Sequence, residues 1–85
     1  MKNYKINATY FLRNSKVDAH GRSCDTFEEA KAEAIEIQEG FYLKAKRFGL
    51  DLSRDFTPVT IREVATGREW ELDDSAGYHF VPVGA

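Results

Sequence analysis

Asp25-Thr26-Phe27-Glu28-Glu29-Ala30-Lys31-Ala32-Glu33-Ala34-Ile35-Glu36-Ile37-Gln38-Glu39 is the stretch on which the fold turns. Phe27, Ala30, Ala34 and Ile37 recur at helical steps, with mostly Glu, Lys or Gln between them. That is the pattern of a helix with one buried face. Ala and Glu lose little freedom on entering a helix, so propensity agrees with periodicity. Asp25 or Thr26 can accept a bond from an unpaired backbone N–H at the start. Glu28 or Glu29, three residues on, can complete a capping box.

Two architectures hang on where this helix stops. The apolar series continues through Phe41, Ala45 and Phe48, and Lys44, Lys46 and Arg47 suit the negative end of a helix dipole. Gly49 can then follow as a left-handed residue, with Leu50 folding back on the last turn. In the rival reading Gly40 ends the helix, and Phe41, Leu43 and Ala45 line one side of a short strand. A glycine inside a helix costs about 1 kcal/mol. Burial on this scale offsets that, so the expectation is one long helix.

Upstream, Tyr4, Ile6, Ala8, Tyr10 and Leu12 alternate with polar residues, the period of a half-buried strand. Phe11 breaks the polar side of that alternation. Asn14-Ser15 reads as a turn, Lys16 to Ala19 as a short returning strand, and His20-Gly21 as a second turn. Downstream, Leu52 and Phe56 tether an irregular segment after Gly49. Val59 to Val64 and Arg68 to Leu72 then flank Ala65-Thr66-Gly67 as a hairpin, with Gly67 free to take positive φ. Ile61 and Val59 share one side with Trp70 and Leu72. Asp73 to Gly77 is a turn, and Tyr78 to Val83 is a last extended piece that Pro82 directs to a sheet edge. The sum is an α+β, two-layer sandwich. One long helix packs on a mainly antiparallel sheet of three or four strands in the order β-β-α-β-β, all in a single small domain spanning residues 1–85.

At 85 residues the chain can build one modest core, and its 42% hydrophobic content with both charge signs is that of a globular protein. A formal charge of -2 gives no general attraction to nucleic acid or to an anionic membrane. Cys24 is the only cysteine, so an intrachain disulfide is impossible; a small buried hydrophobe is its expected role. No apolar run is long enough for a membrane span, and Lys2, Asn3 and Lys5 do not read as a signal peptide, so the cytoplasm is the expected compartment.

Chemistry is sparse. His20 and His79 have no motif around them, Asp51, Asp55, Asp73 and Asp74 lack calcium-loop spacing, and the glycines form no phosphate-binding loop. No catalytic, cofactor-binding or metal-binding residues are assigned, and a non-enzymatic protein-binding or regulatory module is expected. The size suits a small phage or bacterial accessory protein. Two surfaces suggest themselves for the partner protein. One is the acidic helix, carried by Glu29, Glu33 and Glu36. The other is a sheet edge at Tyr78, His79 and Phe80, where a second copy of the chain could also pair. The alternative is a nucleic-acid site in which Lys44, Lys46, Arg47 and Arg54 join Phe11 as a stacking surface. It stands only if those groups share one face.

Overall fold

The computed structural model describes residues 2–18 and 23–84 and shows an α+β fold in which one helix lies on a four-stranded antiparallel sheet. The strands are β1 (Tyr4–Asn7), β2 (Thr9–Leu12) and β3 (Ser15–Asp18) before the helix α1 (Phe27–Phe48), then β4 (Thr60–Glu63), β5 (Glu69–Asp73) and β6 (His79–Pro82). The main sheet runs β1-β4-β5-β6, and β2 and β3 form a separate two-stranded ribbon. The turn expected at His20-Gly21 and the Ala19 end of the expected second strand lie outside the described residues.

The helix is the long one. Thr26 caps it: the Glu29 N–H donates to Thr26 Oγ1 at 3.2 Å, and that hydroxyl donates to the Glu29 carboxylate at 3.2 Å. Gly40 lies inside, and the helix closes at Gly49, which is left-handed (φ 67, ψ 35) and donates to the Ala45 carbonyl. Leu50 donates to the same carbonyl and packs against the core, as a fold-back residue does.

Small residues set the distance between the layers. Ala30 and Ala34 are fully buried where α1 lies against β1 and β4, beneath which Ile6, Val59 and Ile61 are also buried. Aromatic rings fill the two ends. Tyr4, Phe27, Trp70 and Phe80 meet at one end, and Tyr10, Phe41 and Phe56 at the other, with ring centroids 4.7 to 6.3 Å apart. One expectation is corrected here. Phe48, read as the end of the buried series, is 45% exposed, with the Arg47 guanidinium over its ring. Twenty-two helical residues span about 33 Å, while four-residue strands span about 13 Å. The ribbon under Phe41 extends the support, but the last turn overhangs it.

The first strand is one run of alternation in two pieces. Tyr4, Ile6, Ala8, Tyr10 and Leu12 all turn toward the core, yet the pairing shifts between Asn7↔Thr60 and Tyr10↔Phe56. Residues 8 and 9 thus face residues 57–59, so the downstream side carries one extra residue. Pro58 sits in that bulge and has no N–H to give. The Thr9 N–H bonds instead to the Thr57 hydroxyl at 2.9 Å, and the Thr57 N–H returns to the Thr9 carbonyl at 2.8 Å.

The ribbon's turn falls one residue earlier than expected. Arg13 (φ 52) and Asn14 (φ 65) are its central pair, and Ser15 already belongs to β3. A two-residue hairpin whose central residues are both left-handed matches the natural twist of the strands, and Asn tolerates that conformation. Gly67 takes positive φ (76) as expected, closing a loop between Glu63 and Arg68. The last extended piece is a full strand, paired to β5 from Asp73↔His79 to Trp70↔Pro82.

Candidate functional site

The two edges of the main sheet differ. Cys24 lies along the outside of β1, donating to the Tyr4 carbonyl at 2.9 Å and accepting from the Asn3 and Tyr4 N–H groups. Among the described residues no strand lies on the outer side of β6. Its backbone phase follows from the ladder: the Val83 N–H donates to the Glu69 carbonyl, while the Leu72 N–H points the other way, to Val59. Residues 79, 81 and 83 therefore bond inward to β5, and Phe80 turns its N–H and C=O outward. Pro82 has the same outward phase but no N–H, so its side of the edge offers only a carbonyl.

Beside this edge runs a groove of about 570 Å³ whose walls are Phe27, Glu28, Lys31, Ala32 and Ile35 from the helix and Tyr78, His79 and Phe80 from the sheet. Phe80 lies on its floor, half-buried, its ring 6.3 Å from that of Phe27. Lys31 spans the helix side, 2.9 Å from Glu28 and over the Phe27 ring at 5.4 Å. Tyr78 is 38% exposed, and partial burial, then the charges of Glu39 and Asp74, push its phenol up. His79 Nε2 lies 2.7 Å from the Ala76 carbonyl oxygen, so that nitrogen carries the proton. Asp73 accepts from the Ser75 N–H at 2.9 Å, and that bond, with the Ser75 hydroxyl and nearby His79, holds its carboxyl below the usual range.

The acidic set lies elsewhere. Glu29, Glu33 and Glu36 border a hollow of about 350 Å³ with Lys2, Ser23 and Cys24, on the β1 flank of the helix. Tyr78, His79 and Phe80 are on the β6 flank, and only Ala32, on the crest, touches both hollows. The two sets read from the sequence thus form two surfaces rather than one.

The basic set is dispersed. Lys44 places its ammonium over the Tyr10 ring at 5.8 Å, on the core-facing side of β2. Phe11 is the neighbouring residue in that strand, 39% exposed, and projects from the opposite side. Arg47 stacks on Phe48, and Lys46 points to solvent. Arg54 is engaged by Asp55 through Nε at 3.2 Å and Nη2 at 3.1 Å. Lys44 and Phe11 thus lie on opposite sides of the ribbon, while the Phe11 N–H donates to the Asp55 carbonyl at 2.7 Å, next to Arg54.

A second cleft of about 470 Å³ lies between residues 52–58, the helix at Gln38 and the end of β5, with Phe56 and Leu72 in its lining and Gln38, Ser53, Thr57, Glu71, Asp73 and Asp74 as its polar groups. The aspartates of the tether are structural. Asp51 accepts from the Ser53 hydroxyl and N–H at 2.6 and 2.8 Å, and its own N–H donates to Asp55 at 2.8 Å. Among the described residues no group of three or more His, Cys, Asp or Glu is placed to hold a metal ion, and no helix is long and apolar enough to cross a membrane.

Sequence reading found the sheet half of the groove and missed its helix half. Ile35 is the signal that was there: an apolar residue one step off the buried stripe, on the flank that faces β6. Comparison of the chain with protein-family models, with curated proteins and with solved structures found no match.

Proposed function

We propose that this chain is a non-enzymatic, cytoplasmic binding module that recognises another protein by accepting an extended segment of it along β6. The supporting observation is the outward backbone phase of Phe80, on an edge that no strand covers among the described residues, beside a groove with both apolar and charged walls. Main-chain bonds from such an edge supply affinity, and alternate side chains of the guest enter the groove and supply selectivity. The aromatic content lends less support than it first suggests. Seven of the eleven rings pack on one another, leaving Phe11, Tyr42, Phe48 and Tyr78 exposed. Of these only Tyr78 borders the groove.

The test is selection of binders from a displayed library of random peptides, with the strongest mapped by amide shifts on the labelled protein. Shifts centred on Phe80, Tyr78 and Ile35 support the proposal. Binders that map to the β1 flank or to the ribbon overturn it. So does a specific affinity for single- or double-stranded nucleic acid that falls steeply with salt and is lost when Lys44, Lys46 and Arg47 are neutralised.

A further inference from the structure

We infer that the segment taken up beside β6 runs antiparallel to it and carries an apolar side chain opposite Phe80 and a Lys or Arg two residues further on, opposite Tyr78. The inference rests on the reading of β6 as a strand-accepting edge, and it follows from backbone phase and the charges along the groove.

Every pair in the main sheet is antiparallel, and a guest that continues this pairing forms the slightly more stable ladder; its residue directly opposite Phe80 then exchanges two bonds with the outward groups there. In such a pair the two side chains lie on the same face of the sheet. Phe80 faces the helix, so the guest side chain does as well, among Ile35, Ala32 and the stem of Lys31. An apolar group fits there. Toward Pro82 the ladder stops for want of an N–H, so recognition extends the other way, toward Tyr78. In an antiparallel guest that direction is toward its C-terminus. The residue two positions on returns to the helix-facing side beside Tyr78, where the register that pairs Asp73 with His79 brings Asp74 opposite Tyr78 and Glu39 stands one helical turn beyond Ile35. Lys or Arg can lay its stem along the ring and reach those carboxylates; a guest Glu would be repelled. The host's net charge of -2 acts in the same direction.

The experiment uses a Thr-Leu-Thr-Lys-Thr-amide peptide carrying fluorescein on its N-terminal amine through an aminohexanoyl spacer, the same peptide with Glu in place of Lys, and the reversed order, each titrated by anisotropy at low and high salt. Amide shifts report where each binds. The expected result is a preference of about fivefold or more for Lys over Glu at low salt, shrinking at high salt. The reversed peptide should be weaker. Glu39→Gln with Asp74→Asn should erase the Lys preference while leaving shifts at Phe80. Equal affinity for the Lys and Glu peptides, still mapped to Phe80, overturns this inference and leaves strand acceptance standing. Absence of shifts at Phe80 with every peptide overturns both. Concentration-dependent protection of the Phe80 amide without peptide makes a second copy of the chain the occupant and overturns the inference in favour of self-association.

Discussion

Gly40 shows how much a single position can conceal. It sits in the middle of α1 with ordinary helical surroundings, and an added methyl group would meet only the Lys44 ammonium, at 3.8 Å. Nothing in the packing requires glycine there. Gly40→Ala is therefore expected to raise stability by about 0.5–1 kcal/mol, by removing backbone freedom from the unfolded chain. A urea titration followed by far-UV circular dichroism measures this, and an unchanged or lower midpoint would mean that the helix bends or opens at Gly40. Gly49 is the opposite case. Its φ of 67 is what ends the helix, and a side chain there would be strained although the space is open.

At the scale of elements, the tether between α1 and β4 holds itself with charged groups. Asp51 and Asp55 bond each other's neighbourhood, and both carboxyls sit below their usual range. For Asp51 the main cause is the Ser53 hydroxyl, then the Ser53 N–H; for Asp55 it is Arg54, then the Asp51 N–H. A carboxyl that titrates lower in the folded chain stabilises it fully above its unfolded value. That contribution disappears as pH falls through the folded value. The segment 51–55 is thus expected to hold its conformation at neutral pH and to loosen first in acid, below about pH 4. Amide exchange at Ser53 and Asp55, compared with that at Ile61, would measure it. Equal acid sensitivity at all three sites would show that the tether has no separate titration. The groups are exposed, so the effect belongs to the segment and not to global stability.

At the scale of the molecule, two aromatic clusters sit at opposite ends of one helix, with small residues between them. Phe41 is 1% exposed and touches both Tyr10 and Phe56. Phe41→Ala is expected to cost about 3–5 kcal/mol, a large share of what holds a chain of this length together. Trp70 belongs to the other cluster and reports on it by fluorescence. If α1 couples the ends, Trp70 fluorescence and far-UV dichroism will give the same lowered urea midpoint in this variant. Separate midpoints would mean that the ribbon end unfolds apart from the sheet.

The sequence by itself determined that a helix begins at Asp25 or Thr26 and favoured its running on to Gly49 over a stop at Gly40, because capping and a 3.6-residue period are local and leave their marks on neighbouring residues; the structure chose Thr26 and Gly49. It also determined which side of Tyr4 to Leu12 and of Val59 to Leu72 faces inward, since a strand's alternation survives a bulge. Only the tertiary structure decided that the first strand changes partners at Pro58, since a one-residue offset depends on which segments pair and not on either segment alone. Tertiary placement likewise separated the acidic residues from Tyr78 and Phe80 by the width of the helix, and Phe11 from Lys44 by the thickness of the ribbon. Grooves are made by residues from distant parts of the chain. Ile35 and Phe80 share one because β6 returns to the helix as an edge strand, and strand order is a long-range choice that no window of sequence contains.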